Sequence, residues 1–412
     1  MNLEPVIHVS AARARLQASL SVIDGYESVL LADSIGRCLL DPILAPFDVP
    51  ACAVSAMDGY AVHAETGRLA PFSLTVTGTA LAGHPAAVAV DGHTTVRIMT
   101  GAVLPDGADT VVMQEQVELR AHEAHFVHAI TPGSNVRLAG EDLARGDIAV
   151  AAHRRLTASD MQRAASLGHA ALRVRRRLKV ALLSSGDEIR PIGAPLAEGT
   201  VYDSNRQFLL AALRQLGVSL LDFGIVADDP NRIEDMLDQA LHNADLLITT
   251  GGASRGDADY VSALLQRLGD TVFAGVAMKP GRPTRLTLVK RPVNLAGLAP
   301  QLAVLSLPGT PGAMLTAFTV FATEAIELMQ GSRRLGRRFS ARLDGSLRGH
   351  PERTEYLPAR LSYDSEGAIA TAPIRRDGSA RVAFDASIDA LVELAPGAYE
   401  KRPGDPVALI VL

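Results

Sequence analysis

The run Lys179-Val180-Ala181-Leu182-Leu183-Ser184-Ser185-Gly186-Asp187-Glu188 decides the fold class. It is a short apolar segment closed by a glycine turn and two carboxylates. Leu246 to Thr250, closed by Gly251, and Ala303 to Leu307, closed by Gly309, repeat the pattern. Continuous apolar runs of this length read as strands buried on both faces. Helical periodicity lies between them, at Gln207 to Leu216, Ile233 to Asn243 and Tyr260 to Leu268. Strands alternating with helices predict a parallel-rich sheet with helices on both sides, a three-layer α/β/α domain within a multidomain α/β chain.

Working outward, the texture changes twice. Beyond Gly331 the chain returns to short strands and turns, which predicts a small β domain. On the amino-terminal side, Ser10 is placed to cap a helix through Ala11, Ala12, Ala14, Leu16 and Leu20. A second helix is predicted over 158–167, with Thr157 and Asp160 as a capping box and Gly168 as its stop. Between these helices, residues 45–145 read as short strands, among them Phe72 to Thr77, Thr95 to Met99 and Thr110 to Met113. A β-rich module is thus inserted into a helical one. The charged stretches Arg173 to Lys179 and Arg333, Arg334, Arg337 and Arg338 read as solvated linkers, with contact to an anionic ligand or partner as the alternative.

The chain has 412 residues, 48% of them apolar, and a net charge of -5. That charge argues against a protein that coats nucleic acid or an anionic membrane. Cys38 and Cys52 are the only cysteines, which excludes a disulfide scaffold and a structural thiolate zinc site. Glu4, Arg13 and Arg15 interrupt the amino terminus, so no signal peptide is expected. No stretch approaches the ~18 consecutive apolar residues of a membrane span. A soluble, cytoplasmic protein is expected, with neither nucleic acid nor membrane as partner.

In open α/β sheets ligands bind beyond the carboxyl ends of the strands. Those ends carry Ser185-Gly186-Asp187-Glu188, then Gly251-Gly252-Ala253-Ser254 followed by Asp257 and Asp259, then Pro308-Gly309-Thr310-Pro311. Glycines there let backbone N–H groups approach an anion, and a helix start adds a positive dipole end. Asp203 precedes a helix, while Lys279 and Arg282 lie in Met278-Lys279-Pro280-Gly281-Arg282-Pro283. Two unit charges ~4 Å apart repel by ~4 kcal/mol at an effective dielectric of ~20, so this many carboxylates imply a cation. Mg2+ suits one or two carboxylates plus substrate phosphates, and the ligand expected is therefore phosphorylated. Each piece also has a plainer reading: Asp203, Asp257 and Asp259 as helix caps, Gly251-Gly252 as a turn, Asp58-Gly59 as a turn, Thr100-Gly101 as a strand end.

Eight segments in order resemble the molybdopterin molybdenumtransferase family, the bacterial MoeA proteins and the gephyrin E domain. They are Ser55 to Ala61, Arg97 to Glu115, Gly140 to Asp142, Ser185 to Glu188, Tyr202 to Asn205, Thr250 to Tyr260, Met278 to Pro283 and Leu307 to Pro311. The resemblance implies a homodimer of four-domain subunits. Residues 1–44 with 141–177 would be a discontinuous helical linker domain and 45–140 the β-rich insertion. Residues 178–330 would bind molybdopterin, and 331–412 would be a β-barrel-like domain. The implied reaction inserts molybdate into adenylylated molybdopterin with release of AMP, in a cleft shared with the partner subunit. A molybdopterin adenylyltransferase is the implied partner that supplies the substrate.

By the same resemblance Glu188, Asp58, Thr100, Asp142 and Lys279 are catalytic, and Asp187, Glu188, Asp203 and Asp259 hold Mg2+. Ser185, Gly186, Gly251, Gly252, Ser254, Pro308, Gly309, Pro311, Arg137, Arg282, Arg353 and Ser379 would line the ligand. The chain departs from the family pattern at Gly275, Arg282, Thr310, Gly312 and Pro358. A divergent, non-catalytic binding or scaffold paralogue is the alternative function. An unrelated Mg2+-dependent nucleotide hydrolase lacks support, since no Gly-x-x-x-x-Gly-Lys-Ser/Thr occurs.

Overall fold

Along β1 (Lys179–Ser185), Val180 and Leu182 enter one hydrophobic core while Ala181 and Leu183 enter another. Successive side chains of a strand point to opposite faces, so this run needs cover on both sides. The computed structural model describes residues 6–64, 70–251, 260–293, 295, 297–331, 338–364, 369–374 and 388–412. The chain divides into two compact units: Met1–Leu40, His153–Thr157 and Ala171–Leu412 form one, Asp41–Ala152 and Ala158–Ala170 the other.

In the first unit, β1 pairs in parallel with β2 (Ser219–Val226) and β3 (Leu246–Thr250). The sheet then continues antiparallel through β6 (Arg285–Lys290) to β4 (Gly269–Ala274), by way of β7 (Gln301–Leu307), which is parallel to β3. The helices α1 (Val9–Ser19), α2 (Ser204–Gln215) and α5 (Pro311–Gln330) cover one face, contributing Leu16, Leu209, Leu213, Phe321 and Ile326 to its core. On the other face, α3 (Pro230–Asn243) and α4 (Tyr260–Leu268) contribute Ile233, Leu237, Val261 and Leu265. The three expected strands and three expected helices form within a few residues of their predicted bounds. By length and composition α5 could cross a membrane, but 78% of its most apolar window is buried, as a core helix requires.

The start of α1 differs from expectation. Its N-cap is His8, without a side-chain cap bond, and Ser10 lies inside the first turn. Tertiary pairing explains the shift. Ile7 and His8 add in parallel to β5 (Val276–Lys279), which fixes where the strand ends and the helix begins.

Beyond α5, five strands close on themselves in the order β9 (Thr354–Tyr363), β10 (Ile369–Pro373), β8 (Arg338–Leu343), β12 (Pro406–Val411), β11 (Ala390–Leu394) and back to β9. Closure removes the exposed edges an open sheet would carry. β5 joins this barrel-like sheet, placing Lys279 opposite Glu355.

In the second unit a six-stranded sheet runs in the order Thr110–Met113, Gly59–Val62, Thr94–Ile98, Phe72–Ala80, Glu123–Phe126, Val117–Arg120. Gly59 is dictated by packing: a Cβ there would sit 2.0 Å from the Val112 carbonyl oxygen. The helix Ala158–Ser166 also falls in this unit, and Gly168 follows it with φ +81°.

The arginine run 173–177 is not a solvated linker. Arg176 makes a two-pronged ion pair with the fully buried Asp245, at 2.7 and 3.0 Å. Asp245 also accepts from the backbone N–H groups of Lys179 and Ala299, at 3.0 and 2.9 Å. Arg175 donates to the Ile23 carbonyl at 2.6 Å, and Arg177 to that of Gly217 at 3.0 Å. Arg338 pairs with Glu393, while Arg333, Arg334 and Arg337 lie outside the described residues. Removing one partner of a buried pair strands the other, at a cost of about 3–5 kcal/mol. Asp245→Ala is expected to lose that much in urea unfolding; a loss below about 1 kcal/mol, the range of exposed pairs, would contradict the clamp.

Candidate functional site

The carboxyl ends of β1, β3 and β7 meet through backbone. Gly251 has φ +88°, and a Cβ on it would lie 2.1 Å from the Ser185 carbonyl oxygen. A Cβ built on Gly309 would be 3.6 Å from the Gly251 Cα. Asn205, in the first turn of α2, ties two of these ends together. Its Nδ2 donates to Thr250 Oγ1 at 3.0 Å and to the Gly309 carbonyl at 2.7 Å. The sequence reading quoted Asn205 within its motif but gave it no place in the site.

The last residues of these strands are polar in an otherwise apolar sheet. Register sets Ser184 beside Thr250 and Thr249 beside Ser306. The hydroxyls of Ser184, Ser185, Thr249 and Ser306, Asp203 Oδ2 and Asn205 Oδ1 are buried with no hydrogen-bond partner among the described residues. Each such atom costs about 1–3 kcal/mol. Six on residues at adjoining strand ends leave hydrogen-bonding capacity that a ligand can take up.

The carboxylates divide by role. Asp203 Oδ1 caps α2, accepting from the Arg206 N–H at 3.0 Å, so its plain reading holds for one oxygen, and the other has no partner among the described residues. Asp187 Oδ1 accepts from the Asp228 N–H at 3.2 Å, and Asp187 and Glu188 are exposed. Burial, together with the charges of Asp187 and Glu188, raises the Asp228 carboxyl above the usual range. The sequence reading missed Asp228. It follows β2, whose Asp222 and Gly224 interrupt the apolar pattern that betrays the other strands. Among the described residues, no three Asp, Glu, His or Cys side chains come close enough to hold a metal ion. Gly252, Ser254, Asp257, Asp259 and Ser379 lie outside the described residues.

Next to the turn after β7 lies a cavity of about 1120 Å³, lined by Lys279, Arg282, Pro308, Thr310, Arg353 and Tyr356 among others. Pro308 and Thr310 belong both to the cavity and to the turn after β7, so the two features are contiguous. Lys279 and Arg282 make no ion pair among the described residues, whereas Arg353 is held by Glu355 at 2.9 Å. Unneutralised cations in a partly apolar cavity attract an anion. Pro311 opens α5 here, with no side-chain cap from Thr310.

In the second unit, three segments converge on the two-residue strand Val54–Ser55, which pairs with Val136–Arg137. The Gly101 N–H donates to the Ser55 carbonyl at 2.8 Å. Asp58 Oδ1 accepts from the Thr100 amide at 2.8 Å and its hydroxyl at 2.7 Å. The amide, then the hydroxyl, holds the Asp58 carboxyl below the usual carboxylate range. Arg137 forms ion pairs with Asp142 and Glu141. Asp58 with Thr100, and Arg137 with Asp142, are thus brought together as two small groups inside one unit.

The first unit therefore has the traits of a binding protein for an anionic ligand at sheet ends. Residues 7–168 match the MoeA N-terminal region (domain I and II), 181–328 a probable molybdopterin-binding domain, and 340–412 the MoeA C-terminal region (domain IV). The chain is 32% identical to a molybdopterin molybdenumtransferase of Haemophilus influenzae, over 91% of both chains. It is 31% identical to molybdopterin molybdenumtransferase 2 of Mycobacterium tuberculosis, over 92% of this chain and 93% of the relative. The crystal structure of the MoeA molybdopterin biosynthesis protein from Pyrococcus horikoshii is similar over 99% of each chain, with 28% identity and a TM-score of 0.78. The chain belongs to the molybdopterin molybdenumtransferase (MoeA) family.

Two outcomes test the geometry. Gly251→Ala must adopt a left-handed backbone costing about 1–3 kcal/mol before the clash with Ser185 is counted; wild-type unfolding stability in that variant would refute the close approach. Thr100→Val removes one of the two donors to Asp58, so the Asp58 titration midpoint followed by NMR should move up toward the ordinary value. An unmoved midpoint would assign the whole effect to the Thr100 amide.

Proposed function

We infer that this protein is a molybdopterin molybdenumtransferase, inserting molybdate into adenylylated molybdopterin with release of AMP. One observation carries the reading. Strand ends with unsatisfied buried polar atoms adjoin a cavity whose Lys279 and Arg282 lack acidic partners among the described residues. A pterin rich in hydrogen-bonding atoms would satisfy the first feature, and a pyrophosphate the second. The cavity is also of the size that encloses cofactor-like ligands.

In this reading Lys279, Arg282 and Arg353 neutralise the phosphates and the incoming molybdate, which supports departure of AMP as an anion. The turns at Ser185–Gly186, Gly251 and Pro308–Gly309 let backbone approach the substrate. Asp187, Glu188 and Asp228 orient the water that splits the pyrophosphate bond. Mg2+ belongs to the proposal as an ion arriving with the substrate phosphates. The described carboxylates do not form a cage of their own, so no step here runs through it. Asp58, Thr100, Arg137 and Asp142 are proposed as a further polar group needed for turnover. A homodimer in the cytoplasm, with a first domain of 1–44 and 141–177 around the insertion 45–140, completes the proposal. So does an adenylyl-transferring enzyme that supplies the substrate.

The deciding assay measures AMP released from adenylylated molybdopterin on adding molybdate and Mg2+. Glu188→Ala should lower the rate at least about a hundredfold, the usual contribution of a positioned carboxylate, with circular dichroism unchanged. Undiminished AMP release in that variant would remove Glu188 from the mechanism.

A further inference from the structure

The turn His350-Pro351-Glu352-Arg353 closes with His350 and Arg353 paired as an antiparallel bridge. Directly paired residues project side by side, and both of these line the cavity that holds Lys279 and Arg282. The Glu352 backbone N–H donates to His350 Nδ1 at 3.2 Å. A ring nitrogen that accepts a hydrogen bond carries no proton, so the neutral imidazole keeps its hydrogen on Nε2. That Nε2–H has no partner among the described residues. Arg353 is fixed from its other side, with Nε and Nη2 donating to Glu355 Oε1 at 3.2 and 2.9 Å. One edge of the guanidinium is thereby occupied, and Nη1 is left without a partner among the described residues. The turn thus places two side-chain donors in the lining of one cavity, the imidazole of His350 and the guanidinium of Arg353.

We propose that His350 is a second binding residue for the tetrahedral oxyanion in this cavity, an Nε2–H donor set beside Arg353 and locked in one tautomer by the Glu352 amide. The proposal rests on the functional reading above and deepens it. The oxyanion is either molybdate or the phosphate end of the substrate, which share this chemistry.

Two substitutions separate binding from turn-holding. His350→Asn places an amide oxygen near the position of Nδ1, so it retains the acceptor for Glu352 but cannot reach as far as Nε2. His350→Gln reaches the Nε2 position and gives up the local acceptor. Equilibrium dialysis with molybdate, and separately with inorganic phosphate, is run on wild type, both variants and Arg353→Ala. The Asn variant is expected to lose about tenfold in affinity, the scale of one hydrogen bond to an ion, and the Gln variant less. The oxyanion whose affinity falls identifies the source. In turnover, the Asn variant should raise the KM of the reactant that carries that oxyanion, molybdate or adenylylated molybdopterin, while kcat stays near wild type. An Asn variant at wild-type affinity for both anions, or a Gln variant weaker than Asn, makes the ring a turn-former and overturns the proposal. If Arg353→Ala weakens binding while both His350 variants do not, this inference falls and the cavity reading stands. If wild type binds neither anion, the cavity reading falls and takes this inference with it.

Discussion

A side chain that is missing makes the site possible. Gly251, at the end of β3, can lie against the end of β1 only because it has no Cβ, which would otherwise sit 2.1 Å from the Ser185 carbonyl oxygen. With the two strand ends in contact, Asn205 can reach both Thr250 and Gly309. The polar residues at the ends of three strands are then held next to one another in register. Glycine here serves approach of backbone to backbone, and a left-handed φ of +88° makes any other residue costly as well.

The two ends of the sheet treat polar groups in opposite ways. At the amino end of β3, the fully buried Asp245 receives two bonds from Arg176 and two from backbone N–H groups. A buried carboxylate with every lone pair occupied stabilises a single arrangement, because any other would leave charge stranded in low dielectric. At the carboxyl end, hydroxyl and carboxylate oxygens are buried without partners among the described residues. Stability is concentrated where nothing has to bind. Of the residues with buried unpartnered atoms, Tyr356 itself lines the cavity with Lys279 and Arg353.

Strong local signals were legible. The strands Leu246–Thr250 and Thr110–Met113 and the helix Tyr260–Leu268 have the bounds their patterns predict, because apolar runs and punctuating turns coincide there. The Asp203 cap was legible as a cap, and the cluster of Gly251, Pro308 and Gly309 as strand-end turns. Ser10 misled because pairing of Ile7 and His8 with β5, a partner far along the chain, overrides local capping preference. The arginine run misled because charge runs are ordinarily solvated, and nothing local to it reveals that Asp245 is buried beneath. Asp228 escaped notice because its strand is at the sheet edge and lacks a purely apolar pattern.

By itself the sequence determined the layer architecture, the presence of a β-rich insertion and the family, since these rest on periodicity and on motifs of fixed spacing. Tertiary structure alone decided which polar groups come together: Asn205 across two strand ends, Asp228 beside Asp187 and Arg176 on Asp245. The physical reason is range. Periodicity is a property of neighbours in the chain, whereas electrostatic and hydrogen-bond pairing depends on distances of a few ångströms between residues that only folding brings together.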